Sequence, residues 1–426
     1  MKDYSASKTK TLLQNQAKSL LSFSVLVPAL GYFVDMYDLL LFGIVRIPSL
    51  RSMGISGEQL VNTGVFLLNM QMFGMLLGGI IWGILGDKKG RVSVLFGSIF
   101  LYSAANIANA FVKTPETYAI MRFLAGVGLA GELGAAVTLV SETLSKELRG
   151  YGTAIVASVG ILGSVTAALI GDLLPWTTAY IIGGCLGIVL LILRIKMFES
   201  GMYSSISSKN VRKGDFFSLF TSRERLFKYI QCILIGLPTW YVVGVLITFS
   251  PEFARKLSIT GPISAARSIL FTYLGLVLGD IVSGFGSQII RSRKKIILSF
   301  LIMTATLIIV YLFSFGMSPT YFYTICGLIG FSIGYWAVFV TIASEQFGTN
   351  LRATVTTTVP NFVRGATVPI TLSFTALRGY FDIINSALIV GAASMLIAFV
   401  SLYFLQESYH KDLDYLEEYD SNNARN

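Results

Sequence analysis

The stretch Val61–Arg91, VNTGVFLLNMQMFGMLLGGIIWGIL followed by GDKKGR, decides the fold. From Val61 to Leu85 it carries no charged side chain, and a helix of that length spans roughly 37 Å at about 1.5 Å per residue, more than the ~30 Å of bilayer hydrocarbon. The apolar residues do not alternate with polar ones, so the stretch reads as a membrane helix and not as a barrel strand, whose two faces differ residue by residue. The charges return abruptly at Asp87 in a glycine-bracketed turn, Gly83-Ile-Leu-Gly86-Asp87-Lys-Lys-Gly90-Arg91.

Eleven further apolar blocks flank this one. Together they predict an all-α membrane protein with spans near 23–47, 60–85, 92–112, 117–142, 151–173, 176–197, 227–250, 268–290, 296–316, 320–344, 353–377 and 382–405. The composition agrees: of 426 residues, 54% are hydrophobic and 13% charged, which excludes an ordinary water-soluble domain. Residues 1–22 are polar and basic, and the first apolar block is too long for a signal-peptide core, so the N-terminus is expected to be retained. About 24 of the 33 Lys and Arg fall on the side shared by both termini and about 7 on the other. This asymmetry places both termini in the cytoplasm. The net charge of +10 is spread over short loops and forms no single patch, so it argues for topology and lipid contact, not for nucleic acid. Cys185, Cys232 and Cys326 stand singly in apolar spans without metal-ligand spacing, and no cofactor is implied. The single histidine, His410, lies in the tail, so no intramembrane histidine relay is expected.

The chain repeats itself. Ser141-Glu142 precedes Leu148-Arg149 by the same spacing with which Ser344-Glu345 precedes Leu351-Arg352, and each copy closes the fourth helix of a half and enters the fifth. This predicts two pseudo-symmetric bundles of six helices, residues 23–197 and 227–405, related by a parallel duplication. A basic connector (198–226) joins them, and a segment at each end (1–22 and 406–426) stays cytoplasmic. The turn after the second helix also recurs, as Gly284-Phe-Gly286-Ser-Gln288-Ile-Ile-Arg291-Ser-Arg293-Lys294, with Gln288 near the place of the acid; Asp280 is then the candidate gating acid of that half.

The Gly83–Arg91 turn resembles the signature loop of the major facilitator superfamily. Arg122-x3-Gly126-x-Gly128-x2-Gly131-Glu132 with Ser141-Glu142 and Arg149-Gly150 resembles the fourth-helix pattern of its proton-coupled solute porters. Val34-Asp35-Met-Tyr37-Asp38, Gly236-Leu-Pro-Thr-Trp240-Tyr241 and Pro360-Asn361-Phe-Val-Arg364-Gly365 are similar to the phagosomal nutrient transporters of intracellular bacteria. The resemblance implies the twelve-helix major facilitator fold, alternating access, and import of amino acids or nucleosides with protons. It also implies gating roles for Asp87, Arg91, Glu142, Arg149, Asp280, Glu345 and Arg352.

Ionised groups in hydrocarbon are costly, so the mid-span charges are the candidate machinery. Asp35 and Asp38 share one face of the first helix, and two poorly solvated carboxylates so close repel, which favours proton uptake by one of them. Depth counting pairs Asp38 with Arg122, and Glu132, roughly 15 Å further along the same helix, is a second protonation site or a packing acid. In the second half, Thr239-Trp240-Tyr241 aligns with Asp35-Met36-Tyr37, so proton coupling is assigned to the first half. Arg364 has no acid near it in sequence: either it receives a substrate carboxylate through paired hydrogen bonds, or Glu345 or a carbonyl occupies it. Tyr37, Trp240, Tyr241, Tyr335, Trp336 and Asn361 are candidate cavity residues. No nucleophile, metal cluster or cofactor motif appears, so an enzyme is not expected. The expected protein is a monomeric proton symporter of a small polar nutrient, an amino acid first, in a bacterial inner membrane. Nucleosides or organic acids are the alternatives, and efflux is the rival, weakened because Gly160–Asp172 lacks the Gly-Pro kink that resembles drug antiporters.

Overall fold

In the computed structural model, residues 22–89, 91–144, 149–195 and 216–409 are described. They are helical in twelve successive passes. The first six are α1 (Phe23–Ser52), α2 (Gly57–Lys89), α3 (Arg91–Asn109), α4a (Pro115–Leu129) continued by α4b (Glu132–Thr143), α5 (Arg149–Leu173) and α6 (Trp176–Arg194). A short 3-10 turn, Phe216–Phe220, leads to the second six. These begin with α7, built from α7a (Arg223–Leu234), α7b (Leu237–Tyr241), a π segment (Val242–Ile247) and α7c (Ser250–Lys256). Then come α8 (Ala265–Ile289), α9 (Arg293–Leu312), α10a (Pro319–Ser332) with α10b (Trp336–Glu345), α11a (Thr349–Gly365) with α11b (Thr367–Leu377), and α12 (Ile383–Phe404). Among the described residues, nine helical passes are long and apolar enough to cross a bilayer by composition alone; α3, α4 and α11 are not among them. Two of these three carry Arg122, Glu132 and Arg364, all buried by protein, where polar side chains and helix breaks are tolerated.

The duplication is visible in the packing. Gly74 and Gly78 of α2 lie against the Phe123 and Val127 carbonyls of α4a, and Gly126 of α4a lies against the Gln71 carbonyl of α2. In the second half Gly275 and Gly279 of α8 lie against the Gly327 and Phe331 carbonyls, and Gly330 against that of Thr272. A Cβ at any of the six would collide with neighbouring backbone, so these glycines set the interhelical distance as small residues do between membrane helices. A second matched pair follows: the Tyr37 hydroxyl donates to the Ala179 carbonyl (2.8 Å) while Gly183 makes room for its ring, and Tyr241 donates to Ala387 (2.6 Å) while Gly391 does the same.

The halves meet along equivalent seams, α2 with α11 and α8 with α5. Polar contacts cross the junction at several depths. At the loop end away from Phe216–Phe220, Arg46 meets Glu252 (2.7 Å), and Asp172 meets Arg267 (3.4 Å) and Ser264 (3.1 Å). Thr371 of α11b donates to Asn69 of α2 (2.6 Å), and Asn361 of α11a donates to the Ala130 carbonyl (2.9 Å) at the break between α4a and α4b.

Candidate functional site

The middle of the molecule holds two buried acid–guanidinium pairs, one within a bundle and one between bundles. Asp38 of α1 and Arg122 of α4a approach to 3.3 Å, fully buried, and Arg122 also donates to Gln71 (3.4 Å) and Asn106 (3.2 Å) and lies over the Tyr180 ring (5.2 Å). Gln71 is itself anchored to the Leu39 carbonyl (3.2 Å). Every group in this cluster belongs to the first bundle.

The second pair is different. Asp35, one turn before Asp38, lies 3.9 Å from Nη2 of Arg364, across the junction. That distance suits an ion pair but is too long for a hydrogen bond. Both Asp35 carboxylate oxygens and the Arg364 Nε are buried without a hydrogen-bond partner. The guanidinium has the Met36 sulfur at 4.0 Å, the Tyr32 hydroxyl beside it and the Trp240 ring 5.9 Å away. The indole Nε1 of Trp240 is also buried and unpartnered. Buried polar groups are nearly always hydrogen-bonded, so two unused donors and a carboxylate with two unused oxygens mark a place arranged for something else to bind.

The expectation that Arg364 lacks an acid, or is taken by Glu345, is corrected here. Its acid is Asp35, more than three hundred residues earlier, and Glu345 instead meets Arg293 (3.2 Å) and receives the Ser408 hydroxyl (2.6 Å) near the start of α9. Four candidate cavity residues also prove to be spoken for. Tyr37 and Tyr241 hold α6 and α12 as above, Tyr335 donates to the Ile235 carbonyl (3.0 Å), and Asn361 spans the junction to Ala130. A buried phenol or amide must find a partner, and main-chain carbonyls at the helix breaks and crossings supply it. Trp336 starts α10b and packs against Phe339, with ring centroids 4.9 Å apart and planes tilted by 35°. Of the aromatic candidates, Trp240 faces the inter-bundle pair.

Glu132 is not isolated, and it lies within electrostatic reach of Asp35. Both its oxygens bind Arg194 of α6 (2.9 and 3.1 Å), and Ser98 donates to it at 2.7 Å. Sequence reading left Arg194 out because it ends its span, where basic residues ordinarily mark the interface. The Arg46–Glu252 pair escaped for the same reason, since both residues sit at span ends although both are buried. Asp280 accepts from the Ala337 amide (3.0 Å) at the start of α10b, so it caps a broken helix inside the bundle and does not sit at the turn between α8 and α9. The side chains of Asp87, Arg91, Glu142, Arg149 and Arg352 lie outside the described residues, as does most of the connector.

The family pattern Major Facilitator Superfamily matches residues 21–367. The chain belongs to the major facilitator superfamily. It is similar to three curated superfamily-sized transporters along most of its length. The sialic acid transporter NanX of Escherichia coli is 25% identical over 380 residues, covering 85% of this chain and 89% of the relative. The benzoate transport protein of Acinetobacter baylyi is 23% identical over 369 residues, 78% of each. The niacin transporter NiaP of the same organism is 27% identical over 320 residues, 68% of this chain and 72% of the relative. This superfamily member is thus a multi-pass membrane transport protein, and not an enzyme.

Proposed function

We propose that this transporter imports a small organic carboxylate by alternating access, with Arg364 receiving the carboxylate and Trp240 flanking it. The observation that carries the reading is the Arg364 guanidinium itself: fully buried at the bundle junction, with Nε unused and its acid held at 3.9 Å. Guanidinium forks match carboxylates in geometry and charge, and an aromatic face beside the fork suits a flat ring. Niacin, benzoate and sialic acid, named for the three relatives, are all carboxylic acids, which supports the same substrate class. Ring monocarboxylates come first in this reading. An amino acid is the second, favoured by the two unpartnered Asp35 oxygens, which stand where an α-ammonium would bind.

Uptake is driven by protons, both termini face the cytoplasm of a bacterial cell, and the membrane is the inner one. The Lys and Arg asymmetry supports that orientation. The resemblance to phagosomal nutrient transporters belongs to this proposal and extends the substrate range toward host-derived solutes.

The test is a thermal-shift screen of the purified protein with nicotinate against nicotinamide and benzoate against benzamide, along with amino acids. A ligand at about 100 times its Kd stabilises the folded state by about 2.7 kcal/mol. The carboxylates are expected to raise Tm and their amides not, and Arg364→Gln is expected to abolish the difference. Equal shifts by acid and amide, or a nicotinate shift retained in Arg364→Gln, refute the assignment. A shift by amino acids alone selects the second reading.

A further inference from the structure

Asp35–Arg364 is an ion pair that joins the moving bodies, and its partners in the ion-pair inventory of the site are not. Asp38–Arg122 and Glu132–Arg194 each lie inside the first bundle, so rocking of one bundle against the other leaves them intact. Only a contact across the junction changes when the bundles part. Among the described residues, Asp35 is also the one buried acid with no hydrogen bond, while Asp38 and Glu132 are both held by donors.

We propose that a substrate carboxylate and the Asp35 carboxylate are alternative occupants of Arg364, so that each carboxylate bound requires one proton to be taken up by Asp35. The proposal rests on the carboxylate reading above and concerns acids that bring no cation of their own. The charges balance. In the empty site Asp35 (−1) offsets Arg364 (+1). In the loaded site the substrate (−1) offsets Arg364, and the displaced Asp35 carries the proton on one of its oxygens and is neutral. Both states are net neutral, which is the form in which a buried site crosses between the two sides at least cost. A loaded site with Asp35 still ionised would hold two carboxylates against one guanidinium in a water-poor place, and like charges so close do not both persist.

The groups facing Asp35 are consistent with this role. From its own helix come Tyr32 and Asp38, from α11a Arg364, from α4b Glu132 and from α3 Tyr102, while on α8 Tyr273 lies by Tyr32 and Arg364, and Asp280 by Tyr32. The charge of Glu132 is already matched by the bidentate Arg194, so Arg364 is the one cation that answers to Asp35. Trp240, with its free indole N–H, supplies the incoming carboxylate with a second donor that Asp35 does not use.

The experiment is calorimetric titration of the full-length protein with nicotinate and with benzoate near neutral pH, in two buffers of different ionisation enthalpy. The buffer dependence counts protons taken up per ligand bound. The expected count is close to one for wild type and close to zero for Asp35→Asn, which still binds nicotinate; Asp35→Glu is expected to restore it. In wild type the affinity is expected to fall about tenfold per pH unit above the titration range of the site, and to be flat in Asp35→Asn. Carboxylate binding with a wild-type count of zero overturns the exchange while leaving the carboxylate reading intact. A count of one that persists in Asp35→Asn assigns the proton elsewhere and also overturns it. Failure of every ring acid to bind refutes the substrate reading, and the exchange with it. If Asp35→Asn does not assemble, a wild-type count of zero still overturns the exchange, and a pH profile of nicotinate affinity that is not displaced in Asp35→Glu overturns the assignment to Asp35.

Discussion

Removing the carboxylate of Glu252 is expected to open the end of the transporter that the Arg46–Glu252 pair closes. Arg46 is fully buried, its Nη2 lies 2.7 Å from Glu252 and 3.3 Å from the Thr248 carbonyl, and its guanidinium lies 4.5 Å from the Phe249 ring. The carbonyl is available because Pro251 has no N–H and the Glu252 and Phe253 amides both bind the Phe249 carbonyl instead. With side-chain exposures of 0% and 4%, the pair is beyond solvent screening, so no discount for water applies. Breaking one side of a buried pair costs about 3–5 kcal/mol because the other charge is left uncompensated. In Glu252→Gln that penalty falls on the closed arrangement alone, since parting α1 from α7 lets Arg46 reach water. The ratio of open to closed is therefore expected to rise by roughly two to four powers of ten. The assay is labelling of a cysteine placed at Thr248, buried beside Arg46, by a membrane-impermeant maleimide. The rate is expected to rise steeply in Glu252→Gln, and to return toward its original value when Arg46→Met is added, because no uncompensated charge is then left buried. Unchanged labelling in Glu252→Gln would refute the claim that this pair holds the two bundles together.

Two further outcomes follow from the geometry. A methyl group at Gly31 would collide with the Arg194 guanidinium and sit 2.8 Å from a Glu132 oxygen. Gly31→Ala is thus expected to dislodge the Glu132–Arg194 pair and lower stability by about 3 kcal/mol or more, read as a fall in Tm; a Tm within error of wild type would mean the pair relocates freely. Past the last helix, Glu407 is pushed up by partial burial, but the Ser292 hydroxyl and the Tyr409, Arg293 and Lys294 amides outweigh this and hold it below the ordinary carboxylate range. Its contribution to docking the tail is therefore present above the ordinary carboxylate pKa and lost as pH falls through the lower, folded-state value. Hydrogen exchange of the Arg293 and Lys294 amides, measured relative to the intrinsic rate at each pH, is expected to lose protection on acidification in wild type. In Glu407→Gln it is expected to be faster already at neutral pH.

Much of this protein is legible in one dimension. Apolar length and periodicity depend on neighbouring residues alone, so Val61–Leu85 and its companions declare membrane helices without reference to anything distant. The Ser-Glu/Leu-Arg repeat declares the duplication, and matched glycine contacts at Gly74 and Gly275 display it in three dimensions. The proximity of Asp38 to Arg122 was within reach because depth along two antiparallel helices can be counted at a fixed rise. Depth counting does not say which way a side chain faces. It therefore missed that Tyr37, Tyr241 and Tyr335 turn their hydroxyls to carbonyls of their own bundles.

What the amino-acid order determined by itself is the solvent this chain folds in and the twofold repeat, since each rests on local hydrophobicity and spacing, whereas α3, α4 and α11 fall short of spanning helices on composition alone. Apart from Asp38 and Arg122, which charges meet was decided only by the tertiary structure. Arg364 finds Asp35, Arg46 finds Glu252 and Arg194 finds Glu132 across 329, 206 and 62 positions of chain. The physical reason is that a buried ion satisfies itself with whatever helix the bundle packing brings alongside, and sequence distance has no part in that choice.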